Sequence, residues 1–172
     1  MANKYHNQVT EIIRTILEAD SNVDPKKIFR PAQESDLEIL KRFSLPEEIV
    51  IFYKDSEPHD CIEIGQARLW NIKSIIDENE NYTPGYIISK MKFVVFSSTL
   101  TGDSFCFDLN SKNDLGDVPI IIASHDEIDE SLSESEIREK MIVVSNSFAD
   151  FLSKFAKADL PKDYYDRKFQ NE

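Results

Sequence analysis

Residues 93–109 read Phe93-Val-Val-Phe-Ser-Ser-Thr-Leu-Thr-Gly102-Asp-Ser-Phe-Cys-Phe-Asp-Leu109, two apolar arms around a turn that holds Gly102 and Asp103. In the second arm Phe105, Phe107 and Leu109 fall on one side and Ser104, Cys106 and Asp108 on the other, the two-residue period of a strand with one buried face. Gly102 supplies the reversal because it takes positive backbone angles at least cost. The stretch is therefore expected to be the central hairpin of an antiparallel sheet.

Helical spacing precedes it. Val9, Ile12, Ile13, Ile16 and Leu17 recur at i, i+3, i+4, i+7 and i+8, one apolar stripe of an amphipathic helix. Ser35-Asp-Leu-Glu38 has the form of a capping box opening a second helix with Leu37 and Leu40. Leu45-Pro-Glu-Glu opens a third, with Pro46 at its first position, two acids at its positive end, and Ile49, Phe52 and Tyr53 on its buried face. Strands follow at Ile62, Ile64 and residues 67–70, then a short helix over 72–81 that Tyr82-Thr-Pro-Gly85 breaks. After the hairpin, a loop over 110–118 leads to a strand at 120–123. Ser147 starts a last helix whose Phe148, Phe151, Leu152, Phe155 and Ala156 share a face, with Asp150 completing a possible second capping box.

Helices, then a meander of strands, then a helix argue for an α+β fold with one mixed, mainly antiparallel sheet and flanking helices on one face. No repeat or low-complexity linker divides the chain. Residues 1–172 are read as one domain, with N-terminal helices over 1–44, a core over 45–156, and a polar C-terminal tail over 157–172 anchored by Tyr164-Tyr165. A chain of 172 residues hides roughly 70% of its unfolded surface on folding, so packing alone holds a core.

Thirty-two acidic against twenty basic side chains give a net charge of -12. No basic stripe offers counterion release, so nucleic acid is not an expected partner, whereas a basic protein is. The longest apolar run, residues 49–53, is far short of the roughly 20 residues that cross a bilayer, so no membrane association is expected. Cys61 and Cys106 lack metal-ligand or redox spacing and the opening Met-Ala-Asn-Lys-Tyr-His is not a secretory signal, which together point to the cytoplasm.

Chemistry-bearing groups are sparse. Asp103, Asp108 and His125 make a catalytic reading only if they surround one polar pocket; turn and strand-end hydrogen bonding is the simpler role for each. Asp108-x-Asn110-x-Lys112-Asn113 has the outline of a calcium loop but places Lys where an oxygen ligand belongs and Asn where the turn glycine belongs. His6, His59 and His125 form no zinc pattern, and no glycine-rich phosphate loop exists. No cofactor, metal or enzymatic activity is expected. Two features remain. Trp70, the single tryptophan, is either core or an interface anchor. Residues 126–139 set seven carboxylates against Arg138, which is either a solvated face or a negative surface for a partner, carried by Asp126, Glu127, Asp129, Glu130, Glu134 and Glu136.

The order of Leu45-Pro-Glu-Glu-Ile-Val-Ile-Phe-Tyr, the Gly-Asp hairpin, a strand ending in Asp108, a strand ending in His125-Asp126, and Ser147-Phe-Ala-Asp-Phe-Leu resembles the SUKH superfamily, the Smi/Knr-like domains. The chain departs from the family at Lys54-Asp-Ser-Glu-Pro58, where an Asn-Gly turn is usual, and in the long acidic stretch after His125. The resemblance implies a mixed sheet with flanking helices and no catalytic residues. It further implies an immunity protein that binds a cognate bacterial toxin domain, or else a regulatory or scaffold module like the fungal members; taken with the acidic surface, the expected toxin is a basic nuclease whose active site the chain occludes.

Overall fold

The computed structural model describes residues 4–114 and 116–170; the opening Met-Ala-Asn and residues 171–172 of the segment read as a tail lie outside the described residues. In chain order the elements are α1 (His6–Ala19), β1 (Phe29–Arg30), α2 (Glu34–Leu40), α3 (Glu47–Ser56), β2 (Glu57–Pro58), β3 (Ile62–Ile64), β4 (Ala67–Leu69), α4 (Ile72–Asn81) and α5 (Gly85–Ile88). The second half holds β5 (Phe93–Thr99), β6 (Ser104–Asp108), β7 (Ile120–Ala123), α6 (Glu134–Glu139), β8 (Met141–Ser145), α7 (Phe148–Ala156) and α8 (Tyr164–Phe169). The fold is α+β.

Strands β3 to β8 form one six-stranded sheet in sequence order, and β1 pairs with β2 in a separate two-stranded ribbon. The sheet, expected to be mainly antiparallel with some mixing, is antiparallel at every pairing. Even the helical excursion between β4 and β5 leaves and re-enters at the same end of the sheet, so no crossover creates a parallel pair.

The β5–β6 hairpin lies at the centre, with Gly102 at φ 106° in its turn. The ring of His125 packs 3.4 Å from where a Cβ on Gly102 would stand. Val95 pairs with Cys106 and Ser97 with Phe105, leaving Phe96 as the extra residue of a β-bulge. On one sheet face Val94, Phe96, Phe105 and Phe107 meet α1, α3 and α7, and the ring of Phe148 lies 5.0–5.4 Å from those of Tyr5, Phe52, Phe96 and Phe107. Phe96 stacks on Phe107 at 4.0 Å.

The expectation of one buried face is corrected. Phe93, Val95, Cys106, Ile121 and Ala123 form a second cluster on the other face, covered by Ile88 and Met91 on one side and by Ile128 and Ile137 on the other. Phe93 is thereby separated from the other hairpin aromatics and instead lies 5.2 Å from the Arg138 guanidinium. Burial pushes the Cys106 thiol well above its ordinary pKa, whereas Cys61 is exposed. A thiol reagent is expected to modify Cys61 in the folded protein and Cys106 only after denaturation; two fast equivalents would show that the second face opens.

Three helix starts differ from expectation: Pro46 is the N-cap of α3 and Glu47 its first helical residue, and the two expected capping boxes are not formed. Ser35 lies inside α2, whose N-cap is Gln33, and Glu38 pairs with Lys41 at 2.5 Å, while Glu34 and Asp36 occupy the positive first turn. Ser147 does cap α7 through the Asp150 amide, but the Asp150 carboxylate turns to Lys154 at 2.9 Å instead of closing a box.

Candidate partner-binding surface

Residues 124–140 connect β7 to β8 and run across the second sheet face. Their apolar positions explain why: Ile128 and Ile137 are buried against the sheet and Leu132 packs beside them, so the carboxylates between are turned outward. Ser133 and Glu136 form a capping box that fixes the start of α6, with the Ser133 amide donating to Glu136 Oε2 at 2.8 Å and the Glu136 amide to Ser133 Oγ at 3.3 Å. Asp129 accepts from the Ser131 amide at 2.7 Å and from its hydroxyl. These bonds hold the carboxyls of Asp129 and Glu136 below the usual range, the serine hydroxyl contributing most in each case.

The structure divides the acidic candidates by occupation. Glu127 is half-buried and spoken for, accepting from Tyr165 Oη at 2.6 Å and Lys140 Nζ at 3.0 Å. Asp126 is exposed, 3.2 Å from His125 Nε2. Glu130 and Glu134 are exposed and have no hydrogen-bond or ion-pair partner among the described residues. Trp70 sits apart: it follows β4, which β5 and β6 separate from β7 by about 14 Å at the usual strand spacing. It is half-buried and packs against both clusters.

Sequence reasoning missed the aromatic neighbour of this surface. Helix α8, in the segment read as a polar tail, stacks Tyr165 on Phe169 with ring centroids 6.4 Å apart, and the two are 41% and 61% exposed. Their i, i+4 spacing was the available signal. The Tyr165–Glu127 bond ties this pair to the acidic segment. Tyr165 first and Lys140 second hold the Glu127 carboxyl below its ordinary value of 4.5. A depressed folded pKa means the contact stabilises above that value and is lost as pH falls through the folded one. The protection factors of the α8 amides, taken relative to intrinsic exchange at each pH, are therefore expected to fall once the pH drops below about 4.5, and protection that stays flat through the acid range would detach α8 from this bond.

Asp103 and His125 come together, and Asp108 does not join them. Asp103 is buried; Oδ1 accepts from the His125 amide at 3.2 Å and lies 2.9 Å from His125 Nδ1, and Oδ2 accepts from the Tyr164 amide at 2.7 Å. Asp108 lies at the far end of β6, about 16 Å away at the rise of a strand, closing a turn onto the Asn110 amide at 3.0 Å. Among the described residues no group of three or more His, Cys, Asp or Glu is placed to hold a metal ion, and no helix is long and apolar enough to cross a membrane.

The antiparallel meander, its aromatic face against α7 and the acidic return to β8 coincide with a family match: residues 31–154 match the SMI1 / KNR4 family (SUKH-1). The chain belongs to this family. The match takes in this SUKH-1 domain from α2 almost to the end of α7 and stops before α8, so the aromatic pair lies outside it. A toxin-immunity role is consistent with SUKH-1 membership. No curated protein matches the chain.

Proposed function

We propose that this SUKH-1 domain is an immunity protein that neutralises a cognate bacterial toxin domain by occluding its active site, without chemistry of its own. The observation that carries the reading is the 124–140 segment. It is pinned to the sheet by apolar residues, so its outward carboxylates are held in place beside the exposed Tyr165–Phe169 pair. Fixed charges draw in a partner of opposite sign and restrict partner choice, while aromatic side chains at the centre of an interface supply most of its affinity. A toxin that binds nucleic acid, such as a nuclease, presents lysines and arginines where the phosphates go. Carboxylates can occupy the same places. The proposal includes cytoplasmic residence and no cofactor, metal or nucleic-acid partner.

The test is expression of a candidate cognate toxin domain from the gene neighbourhood, in cells with and without the chain, scoring survival and complex formation. In the same system Asp126, Glu130 and Glu134 are changed together to lysine, sparing Glu127, Asp129 and Glu136, whose hydrogen bonds hold the segment's shape. Association is expected to slow by roughly 10- to 1,000-fold, with a shallower salt dependence. Unchanged protection would remove the acidic segment from the interface, and failure of the wild-type chain to protect or bind would end the immunity reading.

A further inference from the structure

A cavity of about 560 Å³ opens at the end of the sheet where β5 begins and β6 ends. Its lining inverts the charge of the molecule. Arg42, Lys90, Lys92 and Lys112 contribute four cations against the single carboxylate of Glu80, in a chain with 20 basic and 32 acidic side chains. Among the described residues none of the four cations has a carboxylate within ion-pair distance, although Lys41, next to Arg42, pairs with Glu38 at 2.5 Å. Lys90 Nζ lies instead 3.5 Å from the centroid of the Tyr86 ring, which is 40% exposed at the cavity mouth.

The walls are held in place. Buried Asn79 donates to the carbonyls of Ile75 and Val95 at 2.8 and 2.7 Å and accepts from the Val95 amide at 2.9 Å, and Ser89 Oγ donates to the Asn79 carbonyl at 3.1 Å. Ser44 and Lys92 line the cavity in left-handed backbone, at φ 57° and 65°, each ending a short 3-10 turn. Glycine would take that conformation without strain, yet position 92 carries a cation.

We propose that this cavity binds a compact oligophosphate. Its volume lies in the range of small-molecule sites and corresponds to a round space about 10 Å across. Successive side chains of an extended peptide point to opposite faces, so four adjacent carboxylates spread over about 10 Å and turn only two toward one wall, whereas a triphosphate packs comparable charge into three linked tetrahedra. Arg42 offers the planar fork that grips phosphate through two hydrogen bonds, and the three lysines supply point charges focused by the concave wall. The proposal stands independently of toxin binding.

Titration of the full chain with inorganic tripolyphosphate, ATP and adenosine tests it. Both phosphates are expected to saturate one site below about 1 mM, more weakly as salt rises, and adenosine to bind far more weakly than either. ATP binding more tightly than tripolyphosphate would place a base on Tyr86, and equal affinity would identify the phosphate chain alone as the ligand; either supports the site. The double variant Lys90→Gln/Lys92→Gln should weaken binding at least about tenfold. Lys26→Gln/Lys27→Gln, the same charge change at exposed residues elsewhere, should leave it unaltered. The proposal is overturned if neither phosphate saturates, if both double variants weaken binding equally, if adenosine binds as well as ATP, or if a polyglutamate peptide binds more tightly than tripolyphosphate.

Discussion

Replacing Phe148 with alanine is expected to cost about 4 kcal/mol of stability, a large share of the 5–15 kcal/mol that typically holds a domain. The ring is fully buried and stands edge-on to four others, joining Tyr5 and Phe52 of the helical layer to Phe96 and Phe107 of the sheet. Removing it leaves a cavity that neither layer can close, because the sheet side is fixed by ladder hydrogen bonds. Urea unfolding followed by circular dichroism should show the midpoint falling by about 2 M at a denaturant slope near 2 kcal/mol/M. A fall of less than about 0.5 M would mean that the layers collapse together around the gap.

The second large effect is expected at Asp103. Its carboxylate accepts from the His125 amide, the His125 ring and the Tyr164 amide, joining the hairpin turn, the end of β7 and the start of α8. Asp103→Ala deprives the buried Tyr164 amide of its partner, and hydrogen bonds to a charged group contribute about 1.5–3 kcal/mol each, so a loss of about 3 kcal/mol or more is expected. Asp103→Asn keeps the shape but brings an amide donor against donors, and should lose about 2 kcal/mol. Limited proteolysis distinguishes this from general weakening: cleavage near residues 158–163 should accelerate before the sheet unfolds. Uniform loss of protection, with no early cut there, would show that the contact does not dock α8 separately.

The elements that could be read from sequence are those whose pattern repeats within themselves. Alternation in residues 104–108 and the glycine at 102 marked the hairpin. The stripe in α1 and the aromatic face of α7 are long enough to show helical period. Elements defined by distant contacts were not legible. Helix α8 has six residues, too few for a period, and its anchor is 61 positions away in the chain. Strand β8 is four apolar residues and a serine, whose place is decided only by pairing with β7. In residues 126–139 the dense charge drew attention from Ile128, Leu132 and Ile137, whose spacing fits neither regular period because they meet the sheet from a turn and a short helix. Asp103 was assigned local turn bonding because that is what an aspartate beside glycine ordinarily does. The bulge at Phe96 shifts side chains by one position, a change of facing that no alternation rule anticipates.

Because neighbouring strands are also consecutive along the chain, the insert between β7 and β8 hangs from two adjacent strand ends about 5 Å apart and threads through nothing else. Such an insert is exchangeable. A graft that keeps His125 against Asp103 and Glu127 against Tyr165 and Lys140 need satisfy only two further demands: return to the same pair of ends, and lay down a few aliphatic side chains as a stopper over Val95, Cys106 and Ile121. On the proposed reading, recognition diverges on one scaffold without re-evolving the scaffold, and a transplanted 128–139 segment is where a change of target would be engineered first.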